Sequence, residues 1–590
     1  MAINYLVLIG YLIFIPGAIF SFFMILRDSR KDFLKQVSKN KYFLLILIAL
    51  IIVLFSLPFF IPIFNSESQI YQSQAKCILD RVFLKTPEYE EYCTFWLFSG
   101  DHELTFPIFI SLVRILLPSD MYDFGLRVLV FCFNLLTSLF IFFFISRRKG
   151  PVVALFASLL IYTMPYYLIF VFNILSESLY LMIFFSIIFI SDYVKIKNLP
   201  YFFFMISLLA LTRIEMVLIL PLIGAYIMAT KDITPDLKNK SIRKSFFLCL
   251  LVFALFGFFF ILSSRLRVYD QGKLFVSAFS FIPLYLSTSL AFILFNHKQK
   301  KICCFSGFVY FFALFLYSFT RIVKNEHYFF SSYVQRFFAY WIPEIIRQIT
   351  EFSPFVLYSF LAFFIFFVIR VALFAFGKKN MRETKLLSEI IFFSLFSLSV
   401  LNILSFLEPY DLDSRFVSVS ILFFVIPISL SIPRFRKRIP RLMVIISTIS
   451  VTLVIITFLF YQGLKYPPYF NNNSVFDDVA LRMTEDIPVV FLHVTNIELI
   501  FLRTERTFFL IRIWQVDAYP GDVEERLNSL DRFYFLDFQP TAPQASSFPE
   551  QRSRFNSMVD MFDKEEIYSN ELFILYIAEN SGRLSANQNE

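Results

Sequence analysis

Long apolar runs follow one another through most of this chain, and they limit what it can fold into. Fourteen such runs lie between residues 3 and 461. A helix of about 20 apolar residues crosses the hydrocarbon core of a bilayer. Hydrophobic residues make up 58% of the chain and charged residues 17%, against about 45–50% and about 25% in soluble domains. This excess cannot be buried in a soluble core, so the sequence predicts a polytopic α-helical membrane protein and excludes disordered and disulfide-scaffold classes.

Two short apolar runs, 200–212 and 216–230, decide how many spans there are. Arg213 and Glu215 lie between them, so the pair is interpreted as a hairpin, with one tilted helix as the alternative. The predicted spans cover residues 3–26, 42–64, 122–146, 151–171, 179–194, 200–212, 216–230, 246–262, 274–295, 302–320, 354–376, 387–407, 416–433 and 442–461.

Lysine and arginine gather in alternate loops. These basic loops are 27–41, 147–149, 195–197, 231–244, 298–301, 378–385 and 434–441. The positive-inside rule assigns such loops to the cytoplasm. Because the alternation holds along the whole chain only if 200–230 is a hairpin, the sequence predicts fourteen spans with both termini outside. The net charge of +9 is therefore attributed to topology, and no nucleic-acid partner is expected.

The same patterns predict three regions. Residues 1–41 hold an additional N-terminal span and a basic cytoplasmic loop. Residues 42–461 form the main transmembrane domain, which includes the long outer loop 65–121. Residues 462–590 form a small extracytoplasmic α/β domain, since short apolar runs typical of strands alternate there with helical stretches. Strands are predicted at 488–492, 508–514, 532–536 and 572–576, and helices at 522–530 and 552–562.

Acids and arginines collect at the predicted outer ends of the spans. Charged groups are costly in lipid, so they mark the water edge or a cavity. A carboxylate there can take a proton from an attacking hydroxyl, and an arginine can hold a phosphate in bidentate fashion. These groups suit transfer of a group from a lipid phosphate to an alcohol. The candidate residues are Glu67, Asp101, His102, Glu177, Arg213, Glu215 and Arg415.

Several of these residues lie in segments that resemble the GT-C glycosyltransferases. The similar branch is that of the dolichyl-phosphate-mannose protein mannosyltransferases and the aminoarabinose transferases. The first outer loop resembles theirs through Ser66, Glu67, Tyr71 and Ala75, and then through Gly100, Asp101, His102 and Pro107. Later segments resemble the family at Ser176, Glu177 and Tyr180, at Leu211, Thr212, Arg213, Glu215 and Pro221, and at Arg415, Phe416 and Pro427.

The resemblance implies a GT-C-like fold and an inverting enzyme of a bacterial plasma membrane. Its donor would be a polyprenyl-phosphate-linked sugar, and its acceptor a hydroxyl on a lipid, glycan or protein at the outer face. Glu67 is the predicted base, with Asp101 or Glu91 as alternatives. Glu177 would orient the acceptor, the donor or a divalent cation, or simply cap a helix.

The remaining candidates are assigned to substrate binding. Arg213 and Arg415 would hold the donor phosphate. Alternatively, Arg213 pairs with Glu215 and Arg415 lies at the membrane interface. Tyr71 is either a substrate contact or a packing aromatic. His102 has no metal-ligand spacing around it, so no cofactor is assigned beyond a divalent cation at Glu177.

Two other classes of function compete with this interpretation. A polymerase or ligase of surface polysaccharide would also use outer arginines and lipid-linked donors. A transporter or flippase of a lipid-linked substrate would need charged residues in mid-membrane and two related halves, and the sequence shows few charges within the predicted spans and no related halves. Cys77 and Cys93 share the outer loop, and a disulfide between them would be structural in an oxidising compartment.

Overall fold

The structure is a computed structural model, and it describes part of the chain. The described residues are 2–56, 66–79, 104–118, 121–163, 176–212, 425–432, 473–485, 487–493, 508–512, 520–540, 549–570 and 573–580, with the single positions 248, 251, 389, 390, 393 and 516. The chain divides into two compact units. One unit comprises residues 1–61, 103–106 and 119–465, and the other comprises residues 62–102, 107–118 and 466–590.

Apolar helices build the described part of the first unit. They are α1 (Ala2–Asp28), α2 (Arg30–Ser56), α5 (Tyr122–Lys149), α6 (Pro151–Leu160), α7 (Ser176–Ser191), α8 (Leu199–Thr212) and the short α9 (Val425–Ser431). Within the described residues, three helices are long and apolar enough to cross a membrane: Ile9–Asp28, Arg30–Val53 and Phe124–Lys149. The chain is thus mostly helical and carries membrane-spanning helices, while the number fourteen remains a prediction.

A single glycine separates α5 from α6. Gly150 has φ +98° and lies between Lys149 and Pro151. That conformation suits only glycine, and a proline at the first helical position starts the next helix without losing a hydrogen bond. The chain therefore reverses direction over very few residues, and α6 packs back against α5.

The helices pack in two main pairs. Helix α5 packs along α7, and helix α1 packs along α8. Rings fill the space between them: Phe140 stacks on Phe189 at 5.4 Å, and Phe14 meets Phe204 at 5.4 Å. Lipid tails are as apolar as these rings, so moving the rings out of lipid gives no hydrophobic gain. The helix pair is stabilised instead by the dense packing of its rings.

Two further helices belong to the outer-loop region of the sequence. They are α3 (Ser66–Leu79) and α4 (Thr105–Leu116). Thr105 and Phe106 at the start of α4 belong to the first unit, and the rest of α4 belongs to the second with α3. In that second unit the hydroxyl of Ser111 lies 3.2 Å from the carbonyl oxygen of Ala75, to which it donates. Pro107, at which the sequence resembles the GT-C family, lies within α4.

The second unit also contains a five-stranded mixed sheet. Its strands are β1 (Val489–His493), β2 (Phe508–Arg512), β3 (Arg532–Phe538), β4 (Asp563–Ser569) and β5 (Phe573–Glu579), in the order β2-β1-β3-β5-β4. Strands β1, β2 and β3 are parallel, whereas β5 is antiparallel to both β3 and β4. The helices of this region are α10 (Asn473–Arg482), α11 (Pro520–Asn528) and α12 (Pro549–Val559).

Apolar side chains of the central strand hold this sheet to its helices. Phe533, Tyr534, Phe535 and Leu536 of β3 are buried, and Phe535 contacts Phe555 of α12 at 5.9 Å. Four of the strands lie in the apolar runs that predicted them. Strand β4 was missed because its sequence, DKEEIYS, is polar and mostly exposed, so it carries no apolar run.

Candidate functional site

Two of the segments that carry candidate residues meet at Thr105. Its hydroxyl donates a 2.8 Å hydrogen bond to the main-chain carbonyl oxygen of Leu211. Thr105 begins α4, four residues after Asp101, and Leu211 is the penultimate residue of α8, just before Arg213. Both residues are buried. The last carbonyls of a helix have no partner within it, so this contact satisfies one of them and ties the two segments together.

Glu177 lies in the first turn of α7 and is buried, with 1% of its surface exposed. Its neighbours Ser176 and Ser178 are also buried. The amide nitrogen of Asn134 in α5 lies 3.3 Å from the hydroxyl oxygen of Ser178 and donates to it. A carboxylate in the first turn of a helix interacts favourably with the helix dipole. Glu177 is therefore an acid held inside the helix bundle at a polar contact between α5 and α7.

Further polar groups extend this contact towards α6. The hydroxyl of Tyr162 lies 2.6 Å from that of Ser138, and the hydroxyl of Ser158 donates to the carbonyl oxygen of Ser138 at 3.0 Å. Tyr162 also donates at 3.4 Å to the carbonyl oxygen of Asn134. Buried polar groups need such partners. Helix α5 is thus joined to α6 and to α7 by hydrogen bonds as well as by apolar packing.

The sequence predicts Glu177 in a short outer turn at the membrane surface. In the structure it lies in the first turn of α7, and Ser191 ends the same helix 14 positions later, a rise of about 21 Å at 1.5 Å per residue. Asp192, which follows, pairs with Arg148 at the predicted cytoplasmic end of α5. Glu177 therefore lies at the end of α7 opposite to this ion pair, and its position relative to the bilayer stays a prediction.

The first outer loop supplies Glu67 and Tyr71. Glu67 is the second residue of α3, so it belongs to a helix rather than to the open loop. Tyr71, one turn further on, is 3% exposed, as a packing aromatic would be. Cys77 in the same helix is disulfide-bonded. Its partner lies outside the described residues, so pairing with Cys93 stays a prediction.

Five candidates fall outside the described residues. They are Asp101, His102, Arg213, Glu215 and Arg415. Of their described neighbours, Thr105 and Leu211 are in contact with each other. Convergence of Glu67, Glu177 and Arg415 on one pocket stays a prediction. In the part of the chain that the structure describes, no group of three His, Cys, Asp or Glu residues could hold a metal ion.

A charged cluster lies near the C-terminal ends of α5 and α7, and the sequence did not predict it. Arg148 donates in bidentate fashion to Asp192 at 2.7 and 2.9 Å, and to Glu389 at 2.8 and 3.2 Å. Its guanidinium also lies 3.7 Å from the ring centre of Phe144. Arg148 had been assigned only to a basic loop. The one signal in the sequence was Asp192, an acid inside the predicted span 179–194.

Comparisons with known proteins complete this description. No family model matches the chain, and no curated protein matches it. A search of solved structures finds a likeness to the apo crystal structure of ArnT from Cupriavidus metallidurans. The identity is 9% and the TM-score 0.43, over 92% of this chain and 99% of that chain. With a TM-score below 0.5, this likeness carries no argument about the fold or the activity of the present protein.

Proposed function

We propose that this protein is a GT-C-like glycosyltransferase of the membrane. It moves a sugar from a polyprenyl-phosphate donor to a hydroxyl acceptor on the extracytoplasmic face. The hydrogen bond from Thr105 to Leu211 carries the proposal, because Thr105 follows Asp101 by four residues and Leu211 precedes Arg213 by two. Buried Glu177 adds a carboxylate inside the helix bundle, and because burying an acid is costly, an acid kept there is expected to have a function.

The proposed reaction is a single displacement at the anomeric carbon. Glu67 takes the proton of the acceptor hydroxyl, and the acceptor oxygen forms a bond to the anomeric carbon. On the opposite face, the bond from that carbon to the phosphate oxygen breaks, and polyprenyl phosphate leaves with the bonding electrons. Arg213 and Arg415 stabilise the charge that develops on this phosphate. The anomeric configuration is therefore inverted.

Sidedness is supported by the oxidised state of Cys77. Disulfides persist in extracytoplasmic compartments and are rare in the cytosol. A disulfide at Cys77 therefore favours an outer position for α3, as the positive-inside rule does for the loop that contains it. The sheet that contains β1–β5 would lie on the same side, and we propose that it selects the acceptor.

Radiolabelled polyprenyl-phosphate sugar, added to membranes that contain the full-length protein, tests the proposal. Wild type is expected to transfer label to an endogenous acceptor, and Glu67→Gln should lower the rate at least about 100-fold, since a general base contributes that much. Glu524→Gln, an exposed acid in α11, is the matched control and should retain transfer.

Three outcomes would count against parts of the proposal. Full transfer by Glu67→Gln would remove Glu67 as the base. Absence of transfer by wild type from every such donor, together with movement of the intact donor across the membrane, would favour a transporter. Retention of the anomeric configuration in the product would rule out the single displacement.

A further inference from the structure

The N-terminal half of α2 carries most of the charge of the first basic loop. Helix α1 ends at Asp28 and α2 begins at Arg30, so only Ser29 separates them. The basic loop predicted at 27–41 is therefore almost entirely helical. Because these bases lie on a helix, its periodicity fixes on which side of α2 each one lies. That side can be compared with the side of α2 that packs on the other helices.

One face of this half-helix packs on the bundle. The ring of Phe33 contacts those of Phe143 and Phe189 at 5.4 and 6.0 Å. The amide nitrogen of Gln36 donates to the carbonyl oxygen of Phe143 at 2.7 Å and to the hydroxyl of Ser146 at 2.9 Å. Asn40, one turn further on, is buried. These contacts fix the rotation of α2 about its own axis.

Three lysines lie on an exposed face of the same half-helix. Lys31, Lys35 and Lys39 are each four residues apart and are exposed. At 100° per residue, they form a stripe about 80° wide, centred about 130° round the helix from the face defined by Phe33, Gln36 and Asn40. We call these three lysines the basic stripe. Because its lysines are exposed, the stripe faces away from the packed helices.

The height of the basic stripe corresponds to the membrane surface. Gln36 bonds to Ser146, which is followed by Arg147, Arg148 and Lys149 at the end of α5. A run of bases at the end of an apolar span marks the headgroup region. Exposed apolar side chains adjoin the stripe, since Leu34 is 49% exposed and Tyr42 is 69% exposed. Tyrosine at this level is typical of the boundary between headgroups and acyl chains.

The three lysines have no ion-pair partner among the residues that the structure describes. Like charges four residues apart on a helix repel each other. An anionic partner that runs along the stripe would relieve this repulsion. Phosphate groups in the lipid leaflet are at the correct height and on the side to which the lysines point.

We propose that the basic stripe binds the headgroup phosphates of anionic phospholipids in the adjacent leaflet. Each lysine ammonium acts as a point charge towards a phosphate, while Leu34 and Tyr42 contact the upper part of the acyl chains. Clusters of bases on a helix beside a membrane span bind anionic lipids in this way. The function of the stripe does not depend on the glycosyltransferase reaction.

Spin-labelled lipids test this proposal without any sugar donor. The full-length protein is placed in phosphatidylcholine vesicles that contain spin-labelled phosphatidylglycerol or spin-labelled phosphatidylcholine. The motionally restricted fraction gives the relative association of each lipid. Wild type should prefer phosphatidylglycerol, and the triple variant Lys31→Gln/Lys35→Gln/Lys39→Gln should lower that preference at least about threefold. The preference of wild type should also decrease at 1 M salt, where the screening length is about 3 Å.

Two matched triple variants show whether a loss of lipid preference comes from the stripe itself, from a change in net charge or from altered folding. Lys31→Arg/Lys35→Arg/Lys39→Arg keeps the charges and should retain the preference. Arg482→Gln/Arg554→Gln/Lys564→Gln removes three exposed bases from the region of the sheet and should retain it as well. An unchanged preference in the glutamine triple variant of the stripe would overturn the proposal, as would an equal loss in either of the other two triple variants.

Discussion

The hydroxyl of Thr105 donates a 2.8 Å hydrogen bond to the main-chain carbonyl oxygen of Leu211, although 106 residues separate the two in the sequence. This contact links the start of α4 with the end of α8. Asp101 and His102 precede Thr105 by four and three residues, and Arg213 follows Leu211 by two. We therefore expect this contact to influence the placement of both candidate segments.

Replacement of Thr105 by valine removes this hydrogen bond and keeps the shape of the side chain. The buried carbonyl of Leu211 loses its partner, which costs about 1–3 kcal/mol. We expect a lower unfolding temperature in detergent and a raised KM for the polyprenyl-phosphate donor. Thr105→Ser, which keeps the hydroxyl, should behave like wild type. A valine variant with unchanged stability and unchanged KM would show that the contact does not position the loops.

The position of helices followed from the sequence better than the position of acids did. Apolar runs predicted α1, α5, α7 and α8 to within a few residues, because an uninterrupted apolar run has few alternatives to a helix in lipid. The burial of Glu177 could not be predicted in the same way. It depends on how α7 packs on its neighbouring helices, including the contact between Asn134 of α5 and Ser178.

Ion pairs between residues far apart in the chain could not be predicted from the sequence either. Arg148 and Glu389 are 241 residues apart, and nothing local distinguishes Arg148 from Arg147 in the same basic loop. The exposed strand β4 was missed for a related reason. It is held by its pairing with β5 and not by an apolar face, so its residues lack the alternation that predicts a strand.

Glu177→Gln tests whether the buried carboxylate at the start of α7 acts in transfer. The substitution keeps size and removes the charge. If Glu177 orients the acceptor or the donor, the transfer rate should decrease about 100-fold or more. Loss of the favourable charge at the helix N-terminus should cost only about 0.3–1 kcal/mol of stability. Transfer assays and thermal unfolding on the same preparation separate these two effects.

The matched control for Glu177 is its neighbour. Ser178→Ala removes a side chain that accepts a hydrogen bond from Asn134 but leaves the carboxylate in place. Its transfer rate should stay within a few-fold of wild type. Should Glu177→Gln transfer sugar as fast as wild type does, the carboxylate would be a structural cap and no more. Transfer that is unchanged after exhaustive treatment with EDTA would show that Glu177 works without a divalent cation.

The cluster formed by Arg148, Asp192 and Glu389 should contribute to stability and not to catalysis. All three are largely buried, with side-chain exposures of 13%, 15% and 6%. Arg148→Leu leaves Glu389 without this cation and leaves Asp192 with only the more distant Arg147 at 3.8 Å, and breaking such a buried pair costs about 3–5 kcal/mol. Thermal unfolding in detergent should show this loss. The rate per folded molecule should remain that of wild type.

A triple variant provides the control for the cluster. Arg148→Leu/Asp192→Leu/Glu389→Leu removes every charge together, and apolar replacements of buried ionic groups are often as stable as the original. Its unfolding temperature should exceed that of Arg148→Leu alone. If the triple variant is less stable than the single one, the loss in Arg148→Leu does not come from unpaired carboxylates.

Tyr576 in β5 should give the sheet a distinct response to alkaline pH. Burial raises the pKa of its phenol above the ordinary value of 10.0, and the nearby Glu566, Asp537 and Asp560 raise it further. Below pH 10 both folded and unfolded chains keep this proton, so stability does not depend on it. Above pH 10 the unfolded chain releases the proton first, and stability decreases as pH rises.

The difference in absorbance at 295 nm between wild type and Tyr576→Phe should therefore have a midpoint above 10.0 in the native protein. The same midpoint in native and denatured protein would contradict this.

Gly17 allows α1 to approach α8 closely. A Cβ atom at this position would lie 2.9 Å from Cε1 and 3.0 Å from Cδ1 of Phe204, closer than side chains can pack. Gly17→Leu should therefore force the helices apart, at a cost of about 1–3 kcal/mol. Because α8 ends at Thr212, the displacement should also raise the KM for the donor. Thermal unfolding and donor titration measure the two effects.

The double variant Gly17→Leu/Phe204→Ala tests whether this close approach is the cause. The added leucine on α1 occupies the space that the ring of Phe204 leaves on α8. The free energy of unfolding and the KM for the donor should therefore recover towards wild type. Ile13→Phe adds a similar bulk to the face of α1 where Ile13 is 49% exposed, and it should change neither quantity. If Gly17→Leu and Ile13→Phe have equal effects, added bulk anywhere on α1 is sufficient. In that case the contact with Phe204 does not set the position of α8.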